Sequence, residues 1–253
     1  MKVHKTRLDK LLVERALVTT RERAQAMILA GRVLVNEQKI DKPGSATASD
    51  AVIRLLGDDL RYVSRGGLKL EGAIAHWNID LKNQHCLDVG ASTGGFTDCM
   101  LQHGAGQVLA IDTGYGQIAQ KLRSDPRVSL MERTNARLLE TNSLPPTITF
   151  LAMDVSFISA TLVLPAVLNA LPGGSGGEPM LEAVVLIKPQ FEAGREYVGK
   201  GGIVRVAEGH QLAIDRVTEC AQTFGGAHIQ IIDSPITGTE GNREFLLHTW
   251  FAR

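Results

Sequence analysis

Four charged residues stand where an open sheet would collect them. Asp154 closes an apolar run at 148–153, and Lys188 closes another at 183–187 and is followed by Pro189. Glu244 precedes a third run at 245–251, and Lys69 falls in a helical stretch ahead of the first strand. A Lys or Glu at a strand end is most often merely solvated. Lys188 differs, because an ammonium ending a continuous apolar strand needs a partner or is driven towards the free amine. Two amines and two carboxylates brought together suit removal of a proton from a weak acid such as a hydroxyl.

A second constellation concerns a ligand. Residues 84–97 run through an apolar stretch to Asp88 and Gly90, pass Ser92, Thr93, Gly94, Gly95 and Phe96, and open a helix. Glycine permits close backbone approach, and the free amides of a helix start meet polar groups. Asp112 closes the next apolar run, the place from which a carboxylate grips a ribose diol. Glycines at 90, 94 and 95 lack the Gly-x-Gly-x-x-Gly spacing of a dinucleotide site, and no Gly-Lys-Ser/Thr follows them. S-adenosylmethionine fits Asp-x-Gly followed by small residues and a later carboxylate, and is the cofactor expected here. Gly90 to Gly94 also satisfies Gly-x-Ser-x-Gly, the nucleophile elbow of a hydrolase. That elbow would sit on the first strand of its domain, and its base, His248, would lie inside a strand.

The same positions narrow the acceptor. Methylation of an exocyclic amine uses an Asn/Asp-Pro-Pro-aromatic corner, where this chain has Asp154-Val155-Ser156-Phe157. Pyrimidine carbon methylation needs a nucleophilic Cys, usually after Pro, and none of Cys86, Cys99 and Cys220 follows a proline. A hydroxyl acceptor remains.

The elements that must hold these residues are legible. Apolar runs at 86–89, 107–111, 128–131, 148–153, 183–187, 228–232 and 245–251, mostly separated by helical stretches, predict an α/β sheet with parallel strands. The last two, joined by 234–242, read as an antiparallel pair, and 172–179 as a surface connection. Ahead of them the spacing predicts a helix over 7–17 with Leu8, Leu11, Leu12 and Ala16 on one face. Thr19 and Glu22 have capping-box spacing for a second helix over 21–30, ended by Gly31. Ala24, Met27 and Ile28 of that helix would pack inward and leave Arg21, Arg23 and Gln25 on a wet face. A hairpin of 33–35 and 39–40 turns at Asn36-Glu37, and 51–56 closes the small sheet.

Charge divides along the same line. Residues 1–65 carry 13 Lys and Arg against 8 Asp and Glu, whereas 66–253 carry 14 against 19. A basic front piece on an acidic body points to a polyanionic partner. Three cysteines without a Cys-x-x-Cys pair suit a reducing compartment. The N-terminus has no secretory pattern, and the greasiest helical stretch, 161–171, is short and contains Pro165. A soluble cytoplasmic protein, without a membrane partner, is expected.

Arg7-Leu-Asp-Lys-Leu-Leu12 and Ala30-Gly-Arg-Val-Leu-Val-Asn36 resemble the S4 RNA-binding domain over most of residues 6–56. That resemblance implies RNA contacts from Arg7, Lys10, Arg21, Arg23 and Arg32, and Arg65, beyond it, is expected to join them. The set Lys69, Asp154, Lys188 and Glu244 resembles the Lys-Asp-Lys-Glu tetrad of FtsJ-like ribose 2′-O-methyltransferases. Tyr62-Val-Ser-Arg-Gly-Gly-Leu-Lys-Leu70, Leu87-Asp-Val-Gly-Ala-Ser-Thr-Gly-Gly-Phe-Thr97, Asp154-Val-Ser-Phe-Ile-Ser159, Ile187-Lys-Pro-Gln-Phe-Glu192 and Gly241-Asn-Arg-Glu-Phe-Leu246 extend the likeness along the chain. Together they are similar to the TlyA (haemolysin A) family of ribosomal RNA methyltransferases.

The resemblance implies an S4-like α+β domain at 1–60, a short linker at 61–64, and at 65–253 a Rossmann-like class I S-adenosylmethionine-dependent methyltransferase domain with a seven-stranded sheet. It implies a cofactor site of Asp88, Gly90, Ser92, Thr93, Gly94, Gly95, Phe96, Asp112, Asn135 and Asp154. The substrate implied is a cytidine ribose of ribosomal RNA. The sulfonium is itself the electrophile, so no metal is called for, and Lys188 is expected to take the hydroxyl proton while Lys69 steadies the oxygen. Two competing readings are a non-catalytic RNA-binding assembly factor and a membrane-lytic protein.

Overall fold

A computed structural model describes residues 5–18, 20–56, 61–173, 181–238 and 240–252. The chain divides into two compact units, Met1–Leu60 and Arg61–Arg253.

The first unit contains β1 (Lys5–Arg7), α1 (Leu8–Glu14), α2 (Arg21–Leu29), β2 (Val33–Val35), β3 (Gln38–Lys39), β4 (Ala46–Ala48) and β5 (Ile53–Leu55). β2 is the middle strand of an antiparallel sheet with β3 and β5, and β1 pairs with β4. Asn36 and Glu37 both take positive φ, 50° and 64°, the pair of left-handed residues that matches a tight hairpin to strand twist. Leu8, Leu12, Ala24, Ile28 and Val33 form its core.

Three expectations change here. The first helix stops at Glu14, because Ala16 turns to φ 53° and faces solvent, and Val18 joins the core in its place. Thr19 lies outside the described residues, and the cap of α2 is Thr20, whose hydroxyl accepts from the Arg23 amide at 3.2 Å. Nor do Arg21 and Gln25 simply face water. Both reach the fully buried Asp9, at 3.0 Å each, as does Arg7 at 2.9 Å. Burying a carboxylate is costly unless it is paired, and these three donors hold the Asp9 carboxyl well below the usual range, the Arg7 hydrogen bond foremost.

The second unit contains α3 (Gly66–Trp77), β6 (His85–Val89), α4 (Gly95–Gln102), β7 (Gln107–Ile111), α5 (Gln120–Arg123), β8 (Val128–Met131), β9 (Phe150–Met153) and α6 (Ala160–Ala170). It continues with β10 (Leu181–Ile187), α7 (Pro189–Glu192), β11 (Val198–Gly199), β12 (Ile203–Val204), α8 (Ala207–Thr223), β13 (Gly226–Asp233) and β14 (Phe245–Phe251). Seven strands form one sheet in the order β13-β14-β10-β9-β6-β7-β8. The strands from β10 to β8 are parallel, and β14 runs antiparallel to both its neighbours. All seven expected runs are strands of this sheet.

Alternate residues of the central strands face opposite layers. Leu87, Val89, Leu151, Met153, Val185 and Ile187 pack with α6 and α8. Cys86, Phe150, Ala152, Val184 and Leu186 pack with α3 and α4. A sheet covered on both faces is why these segments read as continuous apolar runs.

Residues 61–64, read from sequence as a linker, are bound into the second unit. Tyr62 is buried, the Val63 amide donates to Asp98 at 2.8 Å, and Gln102 donates to the Arg61 carbonyl at 3.0 Å. The β11–β12 hairpin was not foreseen. It is held by the buried Asn242, whose Oδ1 accepts from the Val204 amide at 3.0 Å and whose Nδ2 donates to the Gly202 carbonyl at 2.8 Å.

Candidate functional site

β6 and β9 are neighbours although β7 and β8 intervene in sequence, so strand order reverses between them. In open α/β sheets ligands lie beyond the carboxyl ends of the strands at such a point. Gly90 follows β6 and Asp154 follows β9 at this position. The two strand ends meet so closely that a Cβ on Gly90 would lie 2.3 Å from the Asp154 carbonyl oxygen, and Gly90 takes φ 89°.

The four charged residues converge here. Lys188 Nζ lies 2.5 Å from Asp154 Oδ1 and donates to Ser156 Oγ at 2.6 Å. Lys69 Nζ lies 2.6 Å from Glu244 Oε2 and 3.9 Å from Asp154 Oδ2. The result is a row of alternating sign: Glu244, Lys69, Asp154, Lys188. Its side chains are 2%, 10%, 18% and 9% exposed, in that order. Asp154 Oδ1 and Glu244 Oε2 meet their ammonium groups off the directions of a well-aimed hydrogen bond, so these contacts are ion pairs. A desolvated row of this kind gains little stability over an apolar core of the same volume, so its presence argues for chemistry.

Two cavities flank the row. The first, about 560 Å³, is lined by Gly90, Ser92, Asp112, Gly114, Asn135 and Asp154 among others. The second, about 340 Å³, is lined by Lys69, Lys188, Glu244, Gln190 and Phe191 among others. Ser156 and Phe157 border both. Phe157 is 93% exposed, takes φ 63°, and tilts its ring towards Phe191 with centroids 5.6 Å apart. A bulky residue at positive φ with its ring in water is strained, and such strain concentrates at binding sites.

Of the residues expected around a cofactor, Gly90, Ser92, Asp112, Asn135 and Asp154 line the first cavity. Asp112 Oδ2 accepts from the Ser92 amide at 2.7 Å and Oδ1 from the Gly114 amide at 2.6 Å, which fixes the carboxylate and leaves each oxygen a lone pair. Asn135 caps a short helical turn through the Arg137 amide.

Asp88, Thr93, Gly94, Gly95 and Phe96 are not among the lining residues. Gly95 is close-packed: a Cβ there would lie 2.4 Å from Ser64 Oγ and 3.0 Å from the Gly67 amide, so the glycine lets α4 approach the start of α3. Phe96 belongs to the core. Asp88 is fully buried and takes the Thr97 hydroxyl at 2.5 Å. Burial pushes its carboxyl up to about 7, against that hydrogen bond and reinforced by the negative charge of Asp154. Asp88 therefore ties β6 to α4 beneath the loop.

Sequence reasoning gave no role to Ser156, Phe157, Gln117 or Thr134. In the sequence Ser156 and Phe157 stand in the corner after Asp154 and in a segment of the family resemblance, and their contacts follow from a loop shape that no spacing announces.

The FtsJ-like methyltransferase family matches residues 62–251, and the S4 domain matches 6–46. The chain belongs to the FtsJ-like methyltransferase family. Among relatives of this FtsJ-like chain, the candidate rRNA methyltransferase YqxC of Bacillus subtilis is 48% identical, covering 96% of this chain and 85% of that one. The 16S/23S rRNA (cytidine-2′-O)-methyltransferase TlyA of Mycobacterium tuberculosis is 38% identical, covering 96% and 89%. A solved structure of a candidate hemolysin from Streptococcus thermophilus superposes with TM-score 0.72 at 44% identity, covering 99% of this chain and 90% of that one.

In the S4 unit of this FtsJ-like methyltransferase, Arg7 and Arg21 are anchored on Asp9 yet keep 47% of their side chains exposed. Arg32 donates to the Leu56 carbonyl at 2.9 Å, and Lys10 faces solvent. In the second unit Arg65 donates to the Thr237 carbonyl at 3.3 Å. Among the described residues no helix is long and apolar enough to cross a membrane.

Proposed function

We propose that the protein methylates a ribose 2′-hydroxyl of ribosomal RNA, with cytidine as the nucleoside, inside the cell and with S-adenosylmethionine as methyl donor. The observation that carries the reading is the alternating row Glu244, Lys69, Asp154, Lys188 standing between two cavities of unlike lining. Relatives curated as rRNA (cytidine-2′-O)-methyltransferases support it.

The first cavity has a donor set that suits an adenosine-bearing cofactor. Asp112 would hold the ribose diol, Asn135 the adenine, and the backbone around Gly90 the amino acid portion. When bound, S-adenosylmethionine supplies an electrophilic methyl. The remaining work falls to the chain. Lys188 accepts the proton of the 2′-hydroxyl, and Asp154 at 2.5 Å orients it and stabilises the ammonium that forms. Lys69, held by Glu244, lies beside the developing alkoxide and stabilises it. Ser156 fixes the Lys188 rotamer. Holding the acceptor oxygen in line with the methyl carbon supplies much of the acceleration. Phe157 offers an exposed ring face to an unstacked base, and the S4 unit would grip phosphates through its arginine face.

The test is transfer itself. Ribosomal subunits incubated with the protein and methyl-labelled donor should gain label on a ribose, mapped as a 2′-O-methyl nucleotide. Label confined to a base, or none on any ribosomal particle, ends the proposal.

A further inference from the structure

Phe157 sits in a segment that is fastened at both ends. Residues 154–159 join β9 to α6, and 188–192 follow β10, the parallel strand beside β9. At one end Lys188 reaches back to Asp154 and Ser156. At the other, the buried Glu192 takes the Ala160 amide on Oε1 at 2.7 Å and the Ser159 hydroxyl on Oε2. Ser159 Oγ accepts in turn from the Thr161 amide at 3.1 Å. A carboxylate at the close of α7 thus locks the start of α6. Its own residue is gripped from a third element, since Arg216 of α8 donates to the Glu192 carbonyl at 2.5 Å.

Ser159 alone is a sufficient local cap, whereas burying a carboxylate costs free energy that its two donors and the positive end of a helix must offset. What the distant carboxylate adds is position. Phe157 lies two residues before Ser159 at φ 63° with 93% exposure, so the course of its backbone, and not packing, sets the place of its ring. A bulky residue in that conformation persists only where its surroundings over-determine it. Phe191, which meets the ring at 5.6 Å between centroids, directly precedes Glu192. Resting on the function proposed above, we infer that Glu192 is a positioning residue for the acceptor nucleotide. By fixing the α6 end of segment 154–159 it holds Phe157 where an unstacked base can lie on the ring.

The experiment is a double-mutant cycle in the full-length protein, read as kcat/KM for methyl transfer to ribosomal subunits. Wild type, Glu192→Ala, Phe157→Ala and the combined variant are compared. Glu192→Ala should lose about 5-fold or more, through the ring it no longer holds, with S-adenosylmethionine affinity within a few fold by calorimetry. In the Phe157→Ala background the same change should cost less than about twofold, because the group it positions is already gone. A purely structural role would give the same loss in both backgrounds. Glu192→Gln, which keeps the side-chain volume and an acceptor for the Ala160 amide, takes its place in the cycle if the alanine variant loses its fold. Equal losses in both backgrounds, or no loss in either, overturn the inference and leave ribose methylation intact, as does a Phe157→Ala protein as active as wild type. A wild type that transfers to no ribosomal particle removes both claims together.

Discussion

Replacing Lys188 by methionine keeps most of the side-chain volume and removes the charge. Asp154 then loses the ammonium 2.5 Å from Oδ1 and keeps only Lys69, 3.9 Å from Oδ2. Ser156 loses its donor as well. Breaking a buried pair typically costs 3–5 kcal/mol, and because Asp154 retains 18% exposure the loss should lie near about 3 kcal/mol. For a domain of this size each kcal/mol moves Tm by roughly 2–4 °C, so the variant should melt about 6–12 °C lower. Asp154→Asn combined with Lys188→Met removes the stranded charge and should recover more than half of that loss. Methyl transfer should fall by at least about 100-fold in both variants, the range for a lost proton acceptor. Lys188 does not line the first cavity, so S-adenosylmethionine affinity in the single variant should stay within a few fold. Calorimetric unfolding, titration of the cofactor and a labelled-methyl assay read the three quantities separately. A Lys188→Met protein that transfers within tenfold of wild type would refute the reasoning, as would a double variant less stable than the single one.

Gly90→Ala places a Cβ 2.3 Å from the Asp154 carbonyl at φ 89°. It should cost upwards of about 2 kcal/mol in urea unfolding, by strain and strand separation, and an alanine protein of wild-type stability would contradict the close approach. Asp88 yields a pH signature. Its folded value of about 7 lies above the unfolded value near 3.9, so its contribution is fully present below about pH 4 and lost as pH rises through 7. Asp88→Asn should therefore match wild type at pH 4 and exceed it at pH 8, by up to about 4 kcal/mol; parallel stability curves would show the carboxyl ionises freely. Phe157→Ala, at a 93% exposed position, should leave Tm unchanged yet lower kcat/KM for RNA by roughly 5- to 150-fold if the ring stacks on a base. Equal kcat/KM would remove that role.

What sequence disclosed was governed by periodicity and strand ends. The seven strands were visible because both faces of the sheet are covered, and Asp154, Lys188 and Glu244 were visible because each adjoins such a strand. Lys69 was placed more weakly, by its helix ahead of the first strand, and the family resemblance is what singles it out. Gly94 and Gly95, which the sequence offers as ligand-approach residues, also make room for protein atoms, Leu122 and the start of α3. Asp88 does not line the first cavity, because its carboxyl is turned onto the Thr97 hydroxyl of α4. In the small unit the wet face of α2 was misjudged for lack of a signal that Asp9 would be buried. Contacts of Ser156 and Asn242 depend on loop conformation, which carries no period at all.

Asn242 spends both ends of its amide on the backbone of a hairpin some 40 residues earlier, two positions before Glu244. The strap bordering the second cavity and the carboxylate that steadies Lys69 are therefore one mechanical part made from two distant stretches of chain. Grafting residues 198–204 from a relative with different substrate habits would fail unless position 242 travelled with them. Conversely, a deuterium-exchange footprint at the Val204 amide would report on the posture of Glu244 without a probe ever touching it.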